Sequence, residues 1–397
     1  MVNFAMIEEA RKVLEGVARK TPLDPAPKIG KNVYIKAENL QMTGAFKLRG
    51  AYNKMCSLTK EEAARGVIAC SAGNHAQGIA YSAAKLGIEA VICMPAGAPI
   101  SKVEATRAYG ANVVLVPGVY DDAAAEAARL QQEKGYTFAH PFNDPYVIAG
   151  QGTIGLEILE QLPEVEQIVV PIGGGGLISG VALAVKTLKP GCRIIGVQAA
   201  EAASMYVSRR NGQPVELSSV ATIADGIAVK RPGDLTFQLC EKYVDEIVTV
   251  SEEEIACAML QLLEGQKTVA EGAGATTVAA AMFGKIDTTK RKTVCLVSGG
   301  NVDVTTLSRV ITKGLSKSGR IVEITTKISD KPGSLLQLLQ IVADTGANIV
   351  NVSHARESCD SDVNACIVTM VLETRNQEHI REIREKLTAK EYYLIKR

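Results

Sequence analysis

The 397-residue chain has no excess of charge of either sign: 44 Lys and Arg stand against 43 Asp and Glu, for a net charge of +1. That balance gives no general attraction to nucleic acid or to an anionic membrane surface, so neither is expected as a partner. No apolar run approaches the ~18–20 residues that cross a bilayer. The opening stretch, MVNFAMIEEARKVLEG, is acidic early and lacks the apolar core of a signal peptide. Only four His are present, which argues against a His-rich metal centre. The nine Cys are odd in number and form no CxxC pair; several, such as Cys70 and Cys295, sit inside apolar runs. Buried, reduced thiols account for this better than disulfides or zinc, and a cytoplasmic location is expected.

What is present is enough apolar material, 47% of residues, for sizeable cores. The length exceeds one ordinary domain, at ~100–200 residues each. From about residue 30 to 313, short apolar runs alternate with helical patterns. GVIACS (66–71), EAVICMP (89–95), ANVVLVPG (111–118), QIVVPIGGG (167–175), RIIGVQAA (193–200) and KTVCLVSGG (292–300) read as strands. Runs this continuously apolar fit strands covered on both faces, hence parallel sheet with crossover helices. The expected architecture is open α/β, with ligands at the carboxyl ends of the strands.

The pattern changes near residue 314. KGLSKSGR (313–320) shows no apolar periodicity and reads as a linker over 314–319. Residues 320–397 then read strand, helix, strand, strand, helix, strand. That βαββαβ order is the order of a ferredoxin-like sandwich.

Four segments sit where a predicted strand gives way to a helix. In ENLQMTGAFKLRG (38–50), an apolar stretch surrounds Lys47 near a helix start, where desolvation and the helix dipole both disfavour the charged amine. A neutral amine is what a Schiff base needs; a solvated surface Lys is the ordinary alternative. In Ser71-Ala72-Gly73-Asn74-His75, small residues let backbone N–H groups converge on an anion such as a substrate carboxylate. A tight turn with an N-cap explains the same string. In Gly173-Gly174-Gly175-Gly176-Leu177, several amides can meet one phosphate. A dinucleotide loop competes, but this loop comes mid-chain and after a strand that is not the first of the sheet. The GK[ST] ending of an ATP-binding loop is absent. In Ser298-Gly299-Gly300-Asn301, a hydroxyl is placed to bond a ring nitrogen, or the segment is a plain strand-ending turn.

Together these segments resemble the threonine dehydratase family of tryptophan-synthase-β-like pyridoxal-phosphate enzymes. ENLQ-x-TGAFKLRGA, SAGNHAQG, GGGGL and SGGN appear in that family's order and spacing; ATIADGIAVKRPG (221–233) and EGAGA (271–275) also look like its segments. Joint chance occurrence is negligible, which overrides the bland reading of each motif. The tail, with Asp330-Lys331-Pro332-Gly333-Ser334-Leu335, looks like an ACT regulatory domain. The resemblance implies a large lobe (1–43 and 150–313), a small lobe (44–149) and an ACT domain (320–397).

It also implies roles. Lys47 forms the Schiff base with the cofactor and Phe46 packs on its ring. Asn74 bonds the phenolic oxygen. Gly173 to Gly176 and Leu177 hold the phosphate, and Ser298 meets the pyridine nitrogen. Ser71, Ala72, Gly73, Asn74 and His75 clasp the substrate carboxylate. L-Threonine, and also L-serine, would lose water and ammonia, with neutral Lys47 taking the Cα proton. Serine racemases of this class carry a second Ser where this chain has Ala72, so racemisation should be minor. Glu201 matches one acidic metal ligand of those relatives, but the second position is Val207, and no metal is expected. In the tail, Asp330, Pro332, Gly333 and Leu335, with Asn348 nearby, are the expected effector site, for isoleucine or valine. A homodimer or homotetramer is expected. A non-catalytic amino-acid sensor is the competing class, but it has no need of Lys47, Asn74 and Ser298 together. A nicotinamide oxidoreductase built on the Gly-rich loop, and a serine dehydratase or racemase of the same fold, are the other competitors.

Overall fold

The computed structural model describes residues 2–356 and 364–395. The chain divides into two compact units, Met1–Thr306 and Leu307–Arg397. Fourteen strands occur among the described residues. In chain order they are β1 (Leu23–Pro25), β2 (Val33–Ala37), β3 (Val67–Cys70), β4 (Ala90–Pro95), β5 (Asn112–Val116), β6 (Thr137–Phe138), β7 (Gln167–Pro171), β8 (Arg193–Ala199), β9 (Glu246–Val250), β10 (Thr293–Val297), β11 (Ile321–Ser329), β12 (Asn348–Ala355), β13 (Ala365–Glu373) and β14 (Leu394–Ile395).

The first unit holds two open sheets. One has the order β1-β2-β10-β7-β8-β9 and is parallel except for the short edge strand β1. The other, β5-β4-β3-β6, is wholly parallel. The apolar runs behave as their composition requires. Every residue of β3, β7 and β10 is buried, because helices cover both faces. Edge strand β5 is only part-buried. Ile168, Val170, Ile178, Val181 and Ile194 share one core beneath the larger sheet, each burial contributing ~1.5–3 kcal/mol.

The parallel strands direct their carboxyl ends to one region. After β2 the chain turns through Glu38–Leu40 and enters the helix Lys47–Cys56; after β3 it enters Asn74–Leu86; after β7, Gly176–Leu188. The segment after β10 comes back against the first of these, where the Phe46 N–H donates to the Ser298 carbonyl at 3.0 Å.

The expected linker is corrected. A helix, Val304–Lys317, runs through residues 314–317. Leu307, Val310, Ile311, Gly314 and Leu315 repeat at helical spacing, and most of that apolar stripe lies upstream of residue 313. In the second unit, β12-β13-β11-β14 form an antiparallel sheet. The helices Ser334–Ala343 and Gln377–Ala389 send Leu338, Val342, Ile383 and Leu387 into one core with Ile324, Val368 and Met370. This is the βαββαβ sandwich expected from the sequence. No helix among the described residues is long and apolar enough to cross a membrane, and all eight described Cys are free thiols.

Candidate active site

All four strand-end segments line one cavity of about 790 Å³ in the first unit, within the ~300–1,000 Å³ of small-molecule sites. Phe46 and Lys47, the loop 71–75, the loop 173–177 and Ser298 all face it.

Lys47 is the first residue of its helix. Its Nζ donates to the Pro141 carbonyl at 2.8 Å and lies 5.4 Å from the Phe46 ring centroid. Burial pushes the amine down to about 8, against the upward pull of the Glu271 carboxylate. The two nearby imidazoles add no positive charge. Burial and the Lys47 charge hold His75 down at about 3 and His140 at about 4. His75 Nε2 lies 2.8 Å from the Ala139 carbonyl, so this nitrogen carries the hydrogen of a neutral ring. Nδ1 of His140 accepts from the Phe142 and Asn143 N–H groups and shapes the loop under Lys47.

At the second loop, Gly73 precedes the helix Asn74–Leu86, and its own N–H donates to Ser71 Oγ at 3.2 Å. The first-turn amides that follow have no helical acceptor and carry the positive end of the helix dipole. Ala72, half-buried, presents only a methyl group. The His75 side chain is committed to Ala139, so any anion contact at that residue is through its backbone N–H.

The glycine loop cannot carry side chains. A Cβ on Gly174 would lie 2.4 Å from the Phe142 ring, one on Gly176 would meet Phe142 at 2.9 Å, and Gly175 has φ +95°. Backbone N–H groups of this loop and of the helix start at Gly176 therefore face a concavity that only glycine leaves open. Ser298, 2% exposed, completes the wall.

One central residue had no assigned role in the sequence reading. Glu271 ends the extended segment before the helix Gly272–Met282 and is buried in the cavity wall. Its Oε1 accepts from Asn74 Nδ2 at 2.7 Å. Burial and the Asp225 carboxylate push it up to about 7, while Asn74, Lys102 and Lys47 pull the other way. The signal was a lone carboxylate before the small residues of GAGA, a poor place for a solvated charge. Asn301 Nδ2 donates to Asn74 Oδ1 at 2.8 Å, fixing that amide from its other side.

A second feature, also unassigned from sequence, lies behind Lys47. Arg49, 1% exposed, donates to both Glu38 oxygens at 2.8 Å and to Glu157 at 2.6 and 3.0 Å. Lys36 Nζ joins at Glu157 (2.6 Å), Gln161 and the Thr21 carbonyl (2.8 Å each). Burial opposes charge on Glu38, yet the Arg49 guanidinium keeps its carboxyl below the usual range. This network holds the helix start two residues from Lys47.

In the second unit the expected effector residues do not converge within one chain. Asn348 pairs with Glu373, which pairs with Ile321, whereas Asp330 follows Ser329, which pairs with Ala365. β11 and β12 both run antiparallel to β13 and so parallel to each other. The loop after β11 therefore sits where β12 ends, and Asn348 is eight ladder positions away, ~25 Å at ~3.3 Å per residue. Asp330, Pro332 and Gly333 are exposed, Leu335 half-buried, and Asn348 Nδ2 donates to Glu373 at 2.9 Å. Glu201 is exposed at the surface.

A Lys with a lowered pKa that shares a cavity with a glycine cradle and a strand-end Ser is the arrangement of a cofactor-dependent active site. Residues 14–300 match the family of pyridoxal-phosphate dependent enzymes, and the chain belongs to that family. L-Threonine ammonia-lyase of Thermotoga maritima is 51% identical over 396 residues, 99% of this chain and 98% of its own length. Among solved structures, the processed form of threonine deaminase isoform 2 from Solanum lycopersicum is 40% identical, with a TM-score of 0.74 over 78% of this chain and 87% of that one. Maize serine racemase is 37% identical, with a TM-score of 0.74 over 80% and 98% of the two chains. The donor set fits the cofactor: an amine for its aldehyde, a glycine concavity for its phosphate and a hydroxyl for its ring nitrogen.

Proposed function

We propose that the chain converts L-threonine to 2-oxobutanoate and ammonia and also accepts L-serine. The observation that carries this reading is the Lys47 amine, which burial pushes down to about 8 on the wall of the cavity that the start of the helix Asn74–Leu86 also lines. The names of the relatives support the substrate class.

Bound pyridoxal phosphate supplies an electron sink for the pair left when a proton leaves the substrate Cα. Lys47, in its neutral form, takes that proton. The amides at the start of the helix Asn74–Leu86 and the Ser71 hydroxyl hold the substrate carboxylate, with Ala72 and Gly73 leaving room for it. Gly173, Gly174, Gly175, Gly176 and Leu177 would hold the phosphate through backbone N–H groups. Phe46 would pack on the ring, Asn74 would meet its phenolic oxygen and Ser298 its nitrogen. The β-hydroxyl departs as water with the proton that Lys47 took from Cα, and the resulting enamine tautomerises to an imine that takes up water to give the keto acid and ammonia. The Ala72 methyl offers no base on the far face of Cα, so elimination outruns racemisation.

The lobes 1–43 with 150–313 and 44–149 are assigned to this machinery. The tail is assigned to an ACT module that takes isoleucine or valine at the loop Asp330–Leu335, in a cytoplasmic homodimer or homotetramer. A keto-acid assay on threonine and serine, with and without isoleucine and valine, tests the reading alongside light scattering for the oligomer. Cofactor-loaded protein that forms no keto acid from either substrate overturns the catalytic part; kinetics indifferent to both amino acids overturn the regulatory part.

A further inference from the structure

The second unit contains a cluster that the reaction does not use. Asp330, His354 and Cys366 each present one ligand atom, and the three atoms lie within 4.8 Å of one another. They come from three places on one sheet. Asp330 follows β11, His354 is in β12 opposite Val368, and Cys366 is in β13 opposite Ile328. Ladder pairing fixes the backbone at His354 and Cys366, and Asp330, just past the end of β11, is held by its N–H donating to the Asn364 carbonyl at 2.9 Å. The cluster is therefore built into the sheet and does not depend on flexible side chains meeting by chance.

We propose that Asp330, His354 and Cys366 form a binding site for a divalent transition metal of the zinc class. The donor set is one carboxylate oxygen, one imidazole nitrogen and one sulfur, which selects zinc or cobalt over magnesium or calcium. His354 Nε2 stands 2.9 Å from Cys366 Sγ. Tetrahedral zinc, with bonds of ~2.3 Å to sulfur and ~2.0–2.1 Å to nitrogen, separates these donors by about 3.6 Å, so the pair has to open by well under 1 Å. Cys366 is fully buried against the apolar core, while Asp330 and His354 are exposed. The metal thus sits at the rim with sulfur beneath it, and water takes the fourth position. Arg356 Nε lies 3.2 Å from Asp330 Oδ1 and is the resident counter-charge that an ion displaces or shares. A bound ion ties the start of the loop Asp330–Gly333 to β12 and β13.

The test uses the full-length, cofactor-loaded enzyme, stripped with a chelator and dialysed against Zn²⁺ or Co²⁺. Wild type should retain one more zinc per chain than His354→Gln, with threonine turnover and circular dichroism unchanged in the variant. Cobalt should give wild type a thiolate-to-metal charge-transfer band, read as a difference from the variant spectrum so that cofactor absorbance cancels. Asp330→Asn, a surface change, serves as the second comparison and should bind zinc at least tenfold more weakly. Equal zinc content in folded wild type and both variants, with no thiolate band, overturns the site.

Discussion

The Asn74 side-chain amide donates to the Glu271 carboxyl at 2.7 Å. The two residues are 197 positions apart. One opens the helix after β3, the other precedes the helix Gly272–Met282, and their contact joins the region of the smaller parallel sheet to that of the larger one. Asn301 locks the other end of the same amide.

Glu271 leads to a pH prediction. Burial and Asp225 raise its carboxyl from 4.5 to about 7. Between those values the folded state binds a proton that the unfolded chain does not. Its stabilising contribution is complete below about pH 4.5 and lost as pH rises through about 7, spanning roughly 3 kcal/mol at most. Glu271→Gln cannot ionise and keeps the acceptor for Asn74. Urea denaturation of the variant should show a flatter stability profile across that window; parallel profiles for the two proteins would refute the assignment.

Lys47→Ala should abolish threonine turnover, by ~10³-fold or more, since the proposed general base is gone. It should also remove the visible absorbance that borohydride bleaches in wild type, while the fold, read by circular dichroism, survives. Retained turnover would mean that another group takes the Cα proton.

Arg49→Met should destabilise the protein by ~3–5 kcal/mol, because it leaves the buried Glu38, and the part-buried Glu157 beside it, with too little positive charge. Thermal melting measures this. Lys47 lies two residues away, so cofactor affinity should fall in parallel; a variant as stable as wild type would mean that Lys36 alone can hold the two carboxylates.

Gly174→Ala places a methyl 2.4 Å from the Phe142 ring and should weaken cofactor binding at least tenfold, at ~1.4 kcal/mol per decade. Equilibrium dialysis against free cofactor gives the number. Unchanged affinity would show that the loop can shift without losing its amides.

Ala72→Ser adds a hydroxyl at the position where the sequence resemblance implies a second Ser in serine racemases. Chiral analysis of serine incubated with the variant should show D-serine rising against wild type, with keto-acid formation retained. No D-serine would mean that the hydroxyl alone does not supply the second face.

Much of this was legible along the chain. Continuous apolar runs such as those of β7 and β10 can be buried only between helix layers, and strand-to-helix junctions rich in glycine or small residues mark where ligands bind. Lys47, Asn74, Gly173–Gly176 and Ser298 are local signals of that kind, and the βαββαβ order of the tail follows from period alone. Other features needed the third dimension. Residues 314–317 carry no pattern by themselves; the helix that includes them is set by Leu307 and Val310 upstream. Asn348 was placed beside Asp330 by analogy, yet strand direction puts them at opposite ends of the sheet. Arg49 looks like an ordinary surface charge in sequence, and Glu271 shows only as a lone carboxylate before small residues, with no partner in view. Only packing removes their water, and burial is what turns Glu271 into a proton-holding neighbour of Asn74 and Arg49 into the anchor behind Lys47.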